Sequence, residues 1–120
     1  MIQGRFGVRG EIFFEIELMT GGGINLPVDA MLDTGFTELM AINQQDLEGL
    51  DWNFLRKDTL LTAQGEASFD IYLGKVILNE QELEIPVFAG DAIQEILLGS
   101  QWLKSFTLVA NYREGILTLE

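Results

Sequence analysis

The residues of this sequence that could do chemistry are its carboxylates. The chain contains no histidine, no cysteine, and 19 Asp and Glu against 7 Lys and Arg. That composition removes Ser-His and Cys-His nucleophilic pairs and the usual zinc ligand sets. Acid–base work near neutral pH then falls to carboxylates, with Lys and Tyr as weaker substitutes. Among the acids, Asp33 stands apart by its setting. The apolar run Ala30-Met31-Leu32 leads directly into Asp33-Thr34-Gly35, with Phe36 and Thr37 following. A polar group at the end of a buried strand is costly unless it is hydrogen-bonded. The triplet therefore reads as a turn that presents a carboxylate from a rigid base. Taken alone, the triplet reads first as a plain strand-to-turn corner in which Asp33 accepts backbone N–H bonds. The other acids carry less. Glu66 and Asp70 read as solvated strand-face charges, Glu82 and Glu84 alternate outward, and no Asp-x-Asp-x-Asp loop offers a cation site. No metal and no cofactor is expected.

A second stretch, Glu95-Ile96-Leu97-Leu98-Gly99-Ser100, changes the weight of the first. Asp33-Thr34-Gly35, then strands, then Leu97-Leu98-Gly99, in this order and spacing, resembles the retropepsin-like aspartic proteases. These are the single-lobe members of the aspartic-protease clan, and the chain looks like a small prokaryotic-type member. The likeness spans roughly residues 10 to 105, and its specific parts are the two motifs. It implies that the Leu97-Leu98-Gly99 segment threads beside the catalytic loop, with Gly99 allowing close backbone approach. It implies that Asp33 is the catalytic acid and that Thr34 locks two such loops together across an interface. Gly35 would keep the turn open to the carboxylate. The tip Ala63-Gln64-Gly65-Glu66 matches the family's flap, which closes over an extended peptide by strand addition. Phe36 stands where many relatives have Ala or Ser, which leaves Thr37 to supply a hydroxyl near the carboxylate.

Two carboxylates at contact distance cannot both ionise, so one stays protonated as acid while the other acts as base. The chain has a single Asp-Thr-Gly, and Gly90-Asp91-Ala92 is not a second copy. The resemblance therefore implies a homodimer, with Asp33 and its twin on a two-fold axis. The expected activity is that of an aspartic endopeptidase acting on extended peptides or proteins. The rival reading is a non-catalytic dimerisation or peptide-binding module on the same fold. A third is an acidic domain that only assembles into a larger complex. A net charge of −12 argues against nucleic acid and against anionic membranes as partners. No apolar run has the length of a membrane span, and the first residues lack the apolar core of a signal peptide, so a cytoplasmic location is expected.

The elements that must position Asp33 are strands. The 120 residues are the usual size of one domain, residues 1–120, and can hold a core without metal or disulfide. Residues 12–19 alternate, with Ile12, Phe14, Ile16 and Leu18 on one face. After a Gly-rich turn, residues 24–32 form its hairpin partner, with Pro27 marking an edge or bulge. Residues 38–42 suit a short strand, and Asn43 suits the N-cap of a brief helix over 44–48. Residues 50–57 read as a loop with Trp52 and Phe54 as packing anchors. Residues 58–62 and 67–73 form the next hairpin, 75–78 and 82–88 another, and 96–98 a short buried strand. Residues 100–104 suit a short helix capped by Ser100. Residues 107–112 and 116–119 close the chain as a hairpin around Arg113-Glu114-Gly115. The expected class is all-β, a retropepsin-like closed barrel or sandwich with one or two short helices.

Overall fold

The computed structural model describes residues 1–62 and 64–120. Among these, the chain forms β1 (Ile2–Gln3), β2 (Arg5–Phe6), β3 (Ile12–Met19), β4 (Asn25–Leu32), β5 (Met40–Asn43) and β6 (Asn53–Thr62). The remaining strands are β7 (Gly65–Leu78), β8 (Gln81–Gly90), β9 (Leu97–Leu98), β10 (Leu108–Asn111) and β11 (Ile116–Leu119). Two short 3-10 helices lie at Gln44–Leu47 and Ser100–Lys104. The fold is all-β. The strands β3-β4-β9-β5-β8-β7 are neighbours in that order, and β7 returns to β3 through Glu17↔Ile77 and Leu18↔Val76. The result is a closed six-stranded barrel. β6 extends from β7 as an outer edge and β2 from β3. No helix is long and apolar enough to cross a membrane.

The alternation read in the sequence decides where each face goes. Phe14, Ile16 and Leu18 of β3 point into the main core, where they meet Met40 and Ile42 of β5, Val76 and Leu78 of β7, and Val87 of β8. The opposite faces of the same central strands build a second cluster. Ala41 of β5, Phe69 and Ile71 of β7, and Phe88 of β8 are buried together there, with Phe36, Leu60, Ile93 and Leu97 packed against them. Strands buried on both faces read as continuous apolar runs, as 40–42 and 96–98 do. Each large side chain fully buried this way contributes about 1.5–3 kcal/mol.

Several sequence boundaries move. Residues 53–57 are not loop. They are the start of β6, which pairs Asn53↔Leu73 and continues past a register shift between Phe54 and Arg56. Phe54 lies exposed on this edge and meets Tyr72 edge-on. Residues 67–78 are not two strands but part of one, running through Gly74. A Cβ at Gly74 would collide with Val87 and lie 3.1 Å from the Trp52 ring, so the glycine marks a close approach, not a turn. Asn43 caps the first short helix as expected, its Oδ1 accepting the Gln45 N–H at 2.8 Å. Ser100 does not cap the second. Gly99 holds the N-cap position without a side-chain bond, and the Ser100 N–H goes to the Phe36 carbonyl.

The ends of the chain form a separate sheet in the order β1-β11-β10. β1 pairs with β11 through Ile2↔Leu119 and Gln3↔Thr118 within the one chain. β10 is paired on one side only, to β11.

Candidate active site

Asp33 is the residue after β4, and β4 is fixed at that end by a parallel pairing with β9, Met31↔Leu97 and Leu32↔Leu98. The ladder runs on into the turn. The Met31 N–H donates to the Ile96 carbonyl at 2.8 Å and the Asp33 N–H to the Leu98 carbonyl at 2.9 Å. On the far side of the turn the direction reverses. The Gly99 N–H donates to the Leu39 carbonyl at 3.0 Å and the Ser100 N–H to the Phe36 carbonyl at 2.8 Å. Trp102, buried in the main core, adds its Nε1–H to the same Leu39 carbonyl at 2.7 Å. The turn over residues 33–39 is thus clamped at both ends on the 96–102 segment. Gly99 is what permits the clamp. A Cβ there would run into the Glu38 carbonyl and sit 2.7 Å from the Phe36 carbonyl oxygen.

Within the turn, the Phe36 N–H donates to the Asp33 carbonyl at 3.1 Å and the Gly35 N–H to Asp33 Oδ1 at 2.9 Å. One carboxylate oxygen is oriented by its own loop. Among the described residues Oδ2 has no protein hydrogen-bond partner, and Asp33 is partly exposed. Thr34, Gly35 and Thr37 are exposed, and Phe36 is half-buried with its ring edge-on to Phe88 at 6.1 Å. Neither threonine hydroxyl is hydrogen-bonded within the described residues, and Thr37 lines the space beside Asp33.

That space is a cleft of about 320 Å³. Asp33, Gly35, Phe36 and Thr37 form one wall, and Ala41 and Leu97 lie at its base. Leu60, Leu61 and Phe69 come from the β6–β7 arm, and Ile93 from the turn after β8. Asn43 secures that turn, its Nδ2 donating to the Ile93 carbonyl at 2.8 Å and the Asp91 carbonyl at 3.3 Å. The expected flap tip, Ala63-Gln64-Gly65-Glu66, is at the end of this arm. Thr62 pairs with Gly65, so Gly65 and Glu66 belong to β7, and Ala63 lies outside the described residues. Leu60 and Leu61, just before the tip, line the cleft. These two leucines, Phe69 and Ile93 line the cleft and were not singled out from the sequence. No local feature of the sequence marks them as facing a cleft.

Asp70 is committed elsewhere. It accepts from Lys57 Nζ at 2.7 Å across the arm, and this partner pushes the Lys57 ammonium above its ordinary range. A larger opening of about 390 Å³ lies between β1 and the β3 and β7 strands, with Glu15, Glu17 and Glu80 on its walls. Among the described residues no group of acids is arranged to hold a metal ion.

No protein-family model matches the sequence, and no curated protein matches it. Solved structures do. An inhibitor complex of the EIAV protease superposes with a TM-score of 0.64 at 14% identity, over 83% of this chain and 91% of that one. A retropepsin-like aspartic protease from Rickettsia conorii gives 0.61 at 20% identity, over 99% of this chain and 88% of that one. The chain has the retropepsin-like fold. The protease of simian foamy virus (mac) is similar as well, with a TM-score of 0.54 at 24% identity over 77% of this chain and 94% of that one. At these identities the likeness is one of backbone architecture, and the retropepsin-like barrel here carries Asp33 at the end of β4 and the Leu97-Leu98-Gly99 segment beside it.

Proposed function

We propose that residues 1–120 form one domain that acts as a homodimeric aspartic endopeptidase, with Asp33 as its catalytic acid. The observation that carries this reading is the clamped Asp33 turn opening onto an apolar cleft. In the dimer, Asp33 and its twin share one proton. The ionised carboxylate takes a proton from a water molecule, whose oxygen bonds to the peptide carbonyl carbon. The protonated carboxyl gives its proton to the carbonyl oxygen. As the tetrahedral gem-diol collapses, the carboxyl that took the water proton gives it to the leaving nitrogen, the other carboxylate takes a hydroxyl proton, the C–N bond breaks, and the pair again shares one proton. The Gly35 N–H on Oδ1 orients each carboxylate and leaves Oδ2 toward the water. A free sheet edge supports assembly, since β10 carries no charge and no proline from Leu108 to Asn111. The ligand is an extended peptide or protein segment, and the proposed setting is the cytoplasm.

Asp33→Asn tests the reading. Asn keeps the shape of the turn but is neither acid nor base, so cleavage of a peptide library from about pH 4 to about pH 7 should fall by about 10²–10⁴-fold. Stability should change by no more than about 1 kcal/mol, the difference between a charged and a neutral acceptor for the Gly35 N–H. Sedimentation at micromolar concentration should give twice the chain mass. Equal cleavage by wild type and variant would remove Asp33 from catalysis, and a strict monomer with peptide present would remove the enzyme. The non-catalytic peptide-binding reading is favoured by the same Gly35 bond, which any turn aspartate makes; it predicts peptide binding without cleavage by either protein.

A further inference from the structure

Apart from Asp33 and the backbone and hydroxyl of its turn, the cleft is lined by apolar side chains, and acids neighbour those lining residues along the chain and across the arm. The Asp33 turn continues into Glu38. Leu61, on the cleft wall, faces Glu66 across the arm. Asp58 pairs with Phe69 and so shares the arm face that carries Leu60, which pairs with Ala67. Ile93 sits between Asp91 and Glu95, both exposed. None of these five acids has an ion-pair partner among the described residues, where the ion pairs are Arg5–Asp29 and Lys57–Asp70. Lys57 stands beside Asp58 on the arm but is held by Asp70, and the other bases lie elsewhere. Arg56, opposite Ile71, is further down the arm stem, and Lys75 faces Glu84 on the far stretch of β7 and β8. Lys104 is in the second short helix, and Arg9 and Arg113 are in turns.

We propose that the ligand of this cleft is an extended peptide in which a large apolar side chain is flanked by lysine or arginine. The inference rests on the cleft being the substrate site, and names the substrate class. The apolar walls take the side chain out of water, which fixes position. The neighbouring acids select what surrounds it. A chain of net charge −12 repels acidic peptides and steers cationic ones, and the five neighbouring acids concentrate that field where the peptide enters.

The test uses the full chain and three peptides with one common apolar core, flanked by two lysines, two glutamines or two glutamates. Cleavage is read with the wild type, and binding by fluorescence anisotropy with Asp33→Asn. The lysine peptide should exceed the glutamate peptide by about tenfold at about 50 mM salt, and the ratio should shrink toward unity at about 500 mM. Combining Glu66→Gln, Asp91→Asn and Glu95→Gln should reduce the ratio, whereas Glu82→Gln with Glu84→Gln, on the far hairpin, should not. Cleavage that ignores the flanks overturns the inference and leaves the protease reading standing. Lysine-selective binding with no cleavage supports the inference and overturns the protease reading. Failure to bind or cleave any of the three overturns both.

Discussion

The Asp33 turn and the β6–β7 arm face each other across one cleft and are built in opposite ways. The turn is hydrogen-bonded at both ends to the 96–102 segment and rests on the main core through Trp102. The arm is a two-stranded extension whose outer strand, β6, is paired on one side only. Leu60 packs on the second cluster, but Leu61 is 85% exposed. A reacting carboxylate needs a fixed position, because small misplacements cost large factors in rate. An element that must admit a peptide needs the contrary, few buried contacts and a low cost of opening. On the proposed activity, the same short chain meets both needs through glycine-permitted close packing at the turn and apolar surface left on the arm.

The contrast breaks most sharply at Gly99. Gly99→Val places a branched side chain against the Glu38 and Phe36 carbonyls, with backbone on the other side that cannot yield. We expect a loss of about 4 kcal/mol or more, seen as a chain that does not melt cooperatively. A well-folded Gly99→Val would show that the turn is not clamped there. Trp102→Phe is milder. It keeps a large ring in the core but removes the Nε1–H donor to the Leu39 carbonyl, which still accepts from Gly99. A drop of about 1 kcal/mol in denaturant unfolding is expected.

The arm should respond differently. Leu61→Ser removes an exposed side chain, so stability should stay within about 0.5 kcal/mol. Peptide affinity should nevertheless fall, because Leu61 lines the cleft. A large loss of stability would mean that Leu61 is buried in solution, as in a closed assembly. The smallest effect belongs to the arm stem. Asp70 raises the Lys57 ammonium above its ordinary pKa of 10.5, through a hydrogen bond first and charge attraction second. The fold therefore favours the protonated amine. Its contribution is fully present below pH 10.5 and is lost as pH rises through the raised folded value. The melting temperature of the wild type should fall slightly more over that alkaline window than that of Asp70→Asn, and parallel curves would show that the ion pair is fully solvated.

Much of the barrel was legible because it obeys local rules. The residue 12–19 strand shows period-two alternation, and its bounds are those of β3. Asn43 is a capping residue followed by a short polar helix, as found. The 53–57 stretch was not legible as strand. All five residues, Phe54 and Leu55 included, are exposed on an edge, where no buried face imposes alternation. Gly74 read as a break because glycine usually punctuates, whereas here it makes room for Val87 and Trp52. The Asp33 and Leu97-Leu98-Gly99 motifs were visible as composition and order. The leucines and Ile93 of the cleft wall were not, because nothing local marks an apolar residue as facing a cleft instead of a core.

The sequence by itself determined that histidine and cysteine chemistry is absent and that carboxylates come first for acid–base work, that the chain is a set of short strands, and that an acid follows an apolar strand into a glycine turn. Tertiary structure alone decided that β9 lies parallel to β4, so that the Leu98 carbonyl receives the Asp33 N–H. It alone decided that the second faces of β5, β7, β8 and β9 make a floor beneath that acid. The physical reason is common to both. Alternation fixes which residues share a face, but a parallel pair leaves no turn signal between its strands, and which face is covered depends on segments distant in the chain.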